Sequence, residues 1–232
     1  MPDPAFFPVT LKRRWAEAQD LYGLEIDLTG TTIAWSFEAP GQYVQVRTPQ
    51  GAIAFLAISS KPGEPAFEFL VKAGGEAADQ LLSLPEGSRL EMTAALGKGY
   101  PVQHHTGRDV LLLAVGSGIS PIRSLIWYLA GRREDYAGVT LFFGARTPAH
   151  FAYRDELAAW QQEGIRVIQV VSRPEASEGG FVRGYVQDAV AAHPIDPMRT
   201  VVFVCGMKGM VDGVTEELQK LGVSRDRIFQ NY

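Results

Sequence analysis

Residues 110–121 read Val-Leu-Leu-Leu-Ala-Val-Gly-Ser-Gly-Ile-Ser-Pro, and this stretch decides the fold. The apolar run from Val110 to Val115 is typical of a strand buried on both faces of a parallel sheet. Gly116 and Gly118 let backbone N–H groups approach an anion without a Cβ in the way. Pro121 suits the first turn of a helix, whose positive end would face that anion. The order predicts a phosphate or pyrophosphate site, although a purely structural glycine turn fits the same residues.

The residues after this stretch continue the alternation of strands and helices. Short apolar segments predict further buried strands, and apolar residues at helical spacing predict the helices between them. This order is that of a doubly wound parallel sheet, whose ligands bind beyond the carboxyl ends of the strands. We therefore assign residues 106–232 to an α/β domain. Its predicted strands cover residues 110–115, 139–143, 167–171, 201–204 and 227–229, and its predicted helices cover 120–129, 153–160, 185–192 and 207–221.

The first half of the chain has a different pattern. Six short segments rich in β-branched and aromatic residues alternate with turn signals such as Pro40-Gly41 and Pro62-Gly63. Such spacing predicts a six-stranded antiparallel β-barrel over residues 1–105. The predicted strands cover residues 6–11, 21–28, 42–47, 53–58, 67–71 and 89–93, and one helix is expected at 76–82.

Composition excludes several classes of protein. The 232 residues carry a net charge of −4, so nothing predicts attraction to nucleic acid or to an anionic membrane. The single cysteine, Cys205, excludes an intramolecular disulfide and a self-contained iron–sulfur cluster, and the four histidines lack the spacing of metal ligands. No signal-peptide or spanning pattern is present, so we expect a cytoplasmic protein, or an organellar stromal one if a transit peptide has been removed.

Several motifs in one order carry a family resemblance. They are Gly-Ser-Gly-Ile-Ser-Pro-Ile-Arg-Ser-Leu-Ile-Trp (116–127), Leu-Phe-Phe-Gly-Ala-Arg-Thr-Pro (141–148), Val-Cys-Gly-Met-Lys-Gly-Met (204–210) and a terminal aromatic residue. With Gly-Gln-Tyr-Val (41–44) and Gly-Lys-Gly-Tyr (97–100), the chain resembles the ferredoxin–NADP reductase superfamily. The resemblance implies a flavin, FAD or alternatively FMN, held by the barrel. It also implies a nicotinamide nucleotide held by the α/β domain, with hydride passing from nicotinamide C4 to flavin N5.

The resemblance also implies where the flavin lies, and here the chain departs from the family. The family's Arg-x-Tyr-Ser motif is replaced by Ala54-Phe55-Leu56-Ala57, and a small hydroxyl residue on the pyrophosphate helix is replaced within Gly75-Glu76-Ala77-Ala78. Phosphate contacts are then expected from Lys72, Lys98 or backbone amides. The candidate flavin residues are Gln42, Tyr43, Leu56, Ala57, Ile58, Ser59, Lys72, Gly75, Gly97 and Lys98.

For the nicotinamide nucleotide, the resemblance favours NADPH over NADH. Ser172-Arg173 and Arg183-Gly184-Tyr185 are similar to the family's residues around the adenosine phosphate, although NADH-using relatives share part of this pattern. The candidate catalytic residues are Ser117, Cys205, which borders the nicotinamide in the family, and Tyr232, whose ring would stack on the flavin. The candidate nucleotide-binding residues are Gly116, Gly118, Ile119, Pro121, Arg146, Ser172, Arg173, Arg183, Tyr185, Gly206 and Met207.

Three functions follow from these residues. The first is a flavin-dependent NAD(P)H oxidoreductase that reduces an unidentified acceptor. The second is a non-catalytic nucleotide- or partner-binding module with a degenerate flavin site, which Ala54, Leu56 and Ala78 suggest. The third is an electron-transfer subunit whose acceptor is another polypeptide.

Overall fold

The computed structural model describes residues 4–174 and 180–231, which form two six-stranded sheets. The first sheet is antiparallel and contains β1 to β6, in the spatial order β4-β3-β6-β1-β2-β5. A bridge between Ile58 and Phe69 joins its two edges, so the sheet closes into the predicted barrel. The strands are β1 (Phe6–Ala18), β2 (Leu21–Asp27), β3 (Tyr43–Arg47), β4 (Ile53–Ala57), β5 (Ala66–Lys72) and β6 (Arg89–Thr93), and α1 (Glu76–Ser83) lies between β5 and β6.

Strand β1 extends seven residues beyond the predicted end at Leu11. The exposed run Lys12–Arg14 interrupts the apolar alternation that marks a half-buried strand, which explains the early end predicted from the sequence. The extra residues pair with β2 and form a hairpin over residues 15–22 that reaches the segment between residues 145 and 157 of the second half of the chain. There the Gln19 N–H donates to the Ala149 carbonyl oxygen at 2.9 Å, and the Tyr153 N–H donates to Glu17 Oε1 at 2.7 Å.

The second sheet is entirely parallel and has the order β10-β9-β8-β7-β11-β12. Chain order therefore reverses between β7 and β11, which is the position where doubly wound sheets bind ligands. The predicted fold class is confirmed. The strands are β7 (Asp109–Val115), β8 (Gly138–Ala145), β9 (Arg166–Val171), β10 (Val182–Arg183), β11 (Thr200–Cys205) and β12 (Ile228–Gln230), and the helices are α2 (Ile119–Ala130), α3 (Leu157–Gln162), α4 (Val186–Ala191) and α5 (Lys208–Lys220).

Burial explains why these elements form where they do. Leu112, Leu113 and Ala114 on β7 have no exposed surface, as expected for a strand covered on both faces. The apolar stripe of α2 is fully buried against the sheet. None of the helices in the described ranges has the length and apolar character that crossing a membrane requires. The domain boundary at residue 105 stays a prediction.

Candidate functional site

The glycine turn after β7 is the centre of the candidate site. Residues Gly116–Gly118 form one turn of 3₁₀ helix that leads directly into α2, and Gly116 adopts a φ of +57°, which favours glycine. A Cβ at Gly118 would lie 2.7 Å from the Cys205 carbonyl carbon and 3.0 Å from Gly206 Cα. The turn is therefore packed directly against the carboxyl end of β11. The crevice at the reversal of strand order is shaped by contact between two backbones.

One cavity, which we call the barrel cavity, has a volume of about 560 Å³ and lies between the two sheets. Such a volume is within the range of about 300–1,000 Å³ that small-molecule sites occupy. One wall is formed by β4, β5 and the start of α1, and the other by the glycine turn and the end of β11. Its lining includes Ala54, Phe55, Leu56, Ala57, Leu70, Val71, Lys72, Gly75, Glu76, Ala77, Ala78, Val115, Ser117, Gly118, Ser120, Pro121, Cys205, Gly206 and Met207.

The barrel cavity offers an apolar wall beside an anion-binding helix end. Leu56 and Leu70 supply apolar surface, and the N-cap position of α1, Gly75, makes no side-chain capping hydrogen bond with the described residues, whereas the preceding Gly74 N–H donates to Asp79 Oδ1 at 2.8 Å. Uncapped N–H groups at a helix start bind phosphate through hydrogen bonds and the helix dipole. A Cβ added at Gly75 would meet nothing within 4 Å, so space remains beside these donors. Lys72 lines the same cavity. This combination fits a ligand with a flat apolar ring and a phosphate group, as a flavin nucleotide has.

A second cavity, which we call the sheet cavity, has a volume of about 530 Å³ at the carboxyl edge of the parallel sheet. Arg146 and Ser172 line it where β8 and β9 end, and Tyr185 lines it at the start of α4. The β1–β2 hairpin contributes Gln19 and Asp20 as a wall from the other domain. A guanidinium, a hydroxyl and an aromatic ring at one strand edge suit a nucleotide with an additional phosphate.

His150 also lines the sheet cavity, and sequence reasoning missed it. Its Nδ1 lies 2.8 Å from Thr147 Oγ1, whereas Nε2 is buried with no hydrogen-bond partner among the described residues. A buried polar atom without a partner carries a free-energy penalty, so His150 is a strained point in the wall of the sheet cavity. The signal in the sequence was weak, because a lone histidine after a strand has many roles.

The two cavities meet. Lys72, Val115, Ser117 and Met207 line both of them. A ligand in either cavity therefore reaches the glycine turn and the end of β11 from its own side. Two ring systems placed in this way would lie next to each other.

Cys205 lines the barrel cavity at the end of β11. Burial raises the pKa of its thiol to about 12, so the thiol is neutral near pH 7. A neutral thiol is a poor nucleophile, and Cys205 can therefore contact a ligand without attacking it. Tyr232, the third candidate catalytic residue, lies outside the described residues.

Most candidate residues line at least one cavity, and the exceptions are informative. Gln42 Nε2 donates a hydrogen bond to the Gly97 carbonyl oxygen at 3.0 Å, and Tyr43 packs against Gly97. These three residues therefore contact one another and do not line a cavity. The candidates that line a cavity are Leu56, Ala57, Lys72, Gly75, Gly116, Ser117, Gly118, Pro121, Arg146, Ser172, Tyr185, Cys205, Gly206 and Met207. Those that line neither are Gln42, Tyr43, Ile58, Ser59, Gly97, Lys98, Ile119, Arg173 and Arg183.

Three of these exceptions, Ile58, Ser59 and Ile119, have no exposed surface. The two isoleucines pack in the barrel core and the sheet core respectively. Arg173 and Arg183 lie at the ends of β9 and β10, on the same edge as the sheet cavity but outside its lining. The ligand-binding roles predicted for these residues from the sequence stay predictions.

Comparison with known proteins shows which families this chain is similar to. Residues 112–216 match the family model described as oxidoreductase NAD-binding domain. The chain is 33% identical to fruit protein pKIWI502 of Actinidia deliciosa, across 92% of this chain and 72% of that protein. It is 30% identical to sulfhydrogenase 1 subunit gamma of Pyrococcus furiosus, across 84% of this chain and 68% of the relative. It is 27% identical to the chloroplastic leaf-type ferredoxin–NADP reductase of Nicotiana tabacum, across 84% of this chain and 55% of that enzyme.

Among solved structures, a ferredoxin NADP⁺ reductase from Neisseria gonorrhoeae with bound FAD and NADP has the same fold. It superposes with a TM-score of 0.82 at 19% identity, and the match covers 97% of each chain. The likeness thus extends over both the barrel and the parallel sheet.

Proposed function

Because the chain belongs to the ferredoxin–NADP reductase superfamily, we propose that it is a flavin-dependent reductase that takes electrons from NADPH and delivers them to a separate acceptor. The observation that carries this proposal is the meeting of the two cavities at the glycine turn and the end of β11. A flavin, when bound, supplies the ability to take electrons in pairs and release them singly or in pairs. The task of the protein is to hold the two ligands side by side, which accelerates transfer through proximity.

The barrel cavity is the proposed flavin site. The uncapped start of α1 and the Lys72 ammonium would hold the phosphate, and Leu56 and Ala57 would pack against the ring. Ala54 offers no charged group where the family has an arginine. Each hydrogen bond to a charged group contributes about 1.5–3 kcal/mol, so we expect flavin to bind more weakly here than in a relative with that arginine.

The sheet cavity is the proposed nucleotide site. Arg146, Arg173 and Arg183 follow or end β8, β9 and β10, three neighbouring strands. Guanidinium groups at one edge favour a 2′-phosphate through charge-assisted hydrogen bonds, which supports NADPH over NADH. At the other end of the cavity, Ser117, which lines both cavities, would contact the nicotinamide ring, and the neutral thiol of Cys205 would border that ring from the barrel cavity.

The test is the visible spectrum of purified protein supplied with FAD or FMN and freed of unbound flavin. We expect a flavin absorbance band that bleaches under anaerobic conditions on addition of NADPH, and more slowly with NADH. Protein that retains flavin but never bleaches with either nucleotide would contradict the proposal.

A second candidate function, a non-redox nucleotide- or partner-binding module, is favoured by one observation. Ala54 and Ala78 line the barrel cavity where the family has an arginine and a small hydroxyl residue, so two polar anchors are lost, and Leu56 stands where the family has a tyrosine. Calorimetric titration with FAD and FMN separates the two functions. Stoichiometric uptake of flavin supports the reductase, whereas nucleotide binding without any flavin uptake supports the module.

The acceptor and the location are further proposals. A relative named as a subunit gamma of a sulfhydrogenase supports the alternative that this chain passes electrons to another polypeptide. The excess of acidic residues in the barrel half disfavours docking of a strongly acidic ferredoxin. We propose a cytoplasmic location, and the chloroplastic reductase among the relatives keeps an organellar stroma as the alternative. Co-purification of a partner after mild cross-linking tests the subunit function.

A further inference from the structure

Helix α2 carries two side chains that cross from the nucleotide-binding sheet to the barrel. Ser120 Oγ donates a hydrogen bond to the Ala57 carbonyl oxygen at 2.8 Å. One helical turn later, Arg123 Nη1 donates to the Ser59 carbonyl oxygen at 3.1 Å and to Glu68 Oε2 at 2.7 Å. The two side chains hold residues 57–59, where the chain leaves β4 beside the barrel cavity.

Arg123 is itself held rigidly from the nucleotide side. Its Nε lies 3.0 Å from both carboxylate oxygens of Glu156, and its Nη2 lies 2.7 Å from Glu156 Oε1. The guanidinium also stacks over the Tyr153 ring at 4.6 Å, and only 13% of the side chain is exposed. Burial opposes the charge, but the hydrogen bonds and charge of Glu156 outweigh it and raise the pKa of Arg123. The guanidinium is thus a permanent, oriented connection between the two domains.

Stability alone does not require such a connection. The desolvation of a buried ion pair offsets most of its attraction, and a well-packed apolar cluster of the same volume often stabilises a protein as much. An apolar cluster, however, does not fix the relative orientation of the two domains as hydrogen bonds with defined geometry do. Arg123 contacts Glu156 with one side of its guanidinium and the barrel with the other, which fixes both distance and angle.

We propose that Arg123 is a positioning residue that, with Ser120, sets the barrel cavity against the sheet cavity and so sets the overlap of the two bound rings. Helix α2, which carries Arg123, starts at the glycine turn, and Ser117 of that turn lines both cavities. The end of β4, to which Ser120 and Arg123 bind, lines the barrel cavity through Ala57. A shift of α2 relative to β4 therefore moves one ligand past the other. A misplacement of about 1 Å can reduce a transfer rate by about 100-fold. This inference rests on the proposed function.

Three variants and two measurements test the proposal. Arg123→Met removes every contact of the guanidinium and leaves the Ser120 hydrogen bond in place. Glu68→Gln weakens the Arg123 contact that crosses to the barrel, together with a longer contact of Glu68 with Arg13 at 3.9 Å within the barrel. Arg47→Met is the matched control, because Arg47 forms an ion pair with Glu91 at 2.9 Å within the barrel, away from both cavities. If Arg123→Met fails to fold, Glu68→Gln decides, since that carboxylate is one-quarter exposed.

The first measurement uses the protein without flavin. Cys205 is the single cysteine and lies in the crevice between the domains, so its rate of labelling by a thiol reagent reports local opening. We expect at least tenfold faster labelling in Arg123→Met, about threefold in Glu68→Gln and no change in Arg47→Met. A wild-type labelling rate in both Arg123→Met and Glu68→Gln would overturn the proposal.

The second measurement uses flavin-loaded protein and saturating NADPH. We expect the flavin to bleach at least tenfold more slowly in Arg123→Met, while the dissociation constants of flavin and NADPH change less than threefold. Faster thiol labelling with unchanged bleaching would overturn the positioning role and leave a structural one. If the wild type takes up no flavin, the proposed function fails, and the labelling comparison alone still decides whether Arg123 holds the crevice.

Discussion

Gly118→Ala is the sharpest single test of the site geometry. The backbone at Gly118 is ordinary, with a φ of −62°, so alanine meets no conformational strain there. Its Cβ, however, would lie 2.7 Å from the Cys205 carbonyl carbon and closer still to the carbonyl oxygen. Both atoms belong to the backbone at the end of β11, so no flexible side chain can move aside. Either α2 or β11 must shift.

The magnitude follows from this contact. Overpacking of a well-packed region typically costs about 1–3 kcal/mol, and a clash with backbone atoms of Cys205 and Gly206 places Gly118→Ala near the top of that range, at about 3 kcal/mol. For a chain of this size, each kcal/mol lowers the melting temperature by about 2–4 °C. We expect a melting temperature about 6–12 °C below the wild type. Because the displaced backbone lines the barrel cavity, flavin affinity falls as well.

The assay is thermal unfolding followed by near-ultraviolet circular dichroism, with flavin titration on the folded protein. Gly213→Ala is the matched control, since Gly213 lies within α5 and its Cβ would make only an ordinary 3.9 Å contact with Gln187. Alanine there gains about 1 kcal/mol of helix propensity, so the control should melt about 2–4 °C higher. A Gly118→Ala protein that melts within 1 °C of the wild type would refute the close packing of the turn on β11.

Three further predictions concern the cavities and the pH. Ala54→Arg places a guanidinium in the barrel cavity and should tighten flavin binding at least tenfold by fluorescence titration, whereas Ile53→Arg, outside the cavity, should not. Arg146→Leu should weaken NADPH binding at least tenfold by calorimetry and NADH binding less than twofold, and equal losses would contradict a 2′-phosphate contact. Burial raises the pKa of the Cys205 thiol from 9.0 to about 12, so above pH 9 the unfolded chain loses a proton that the folded chain keeps. Stability from urea melts should fall by about 1.4 kcal/mol per pH unit from this group between pH 9 and 12, and Cys205→Ala should remove that share of the slope.

The sequence was sufficient for the fold class because most elements carried a local signal. Val110–Val115 is apolar throughout and only six residues long, which is typical of a strand buried on both faces. Gly-x-Gly before Pro121 fixed the turn into α2. Where local signal was missing, prediction failed: β10 is two residues long, and its existence depends on pairing with β9.

The candidate site was predictable only in part, for a different reason. Residues at strand ends could be assigned to the ligand edge from topology, and Ser117, Arg146 and Ser172 do line cavities there. Contacts between the two domains have no periodicity in the sequence. Arg123 looked like one more polar residue on α2, and its role depends on Glu68 and Ser59, more than fifty residues away.

The β1–β2 hairpin has a consequence for engineering. Because Gln19 and Asp20 form a wall of the sheet cavity, the proposed nucleotide site is assembled from both halves of the chain. A chimaera that grafts a foreign barrel onto residues 106–232 would replace that wall and alter coenzyme recognition, even though every residue of the parallel sheet were retained. Transferring coenzyme preference between homologues therefore requires that residues 15–22 be exchanged together with residues 106–232.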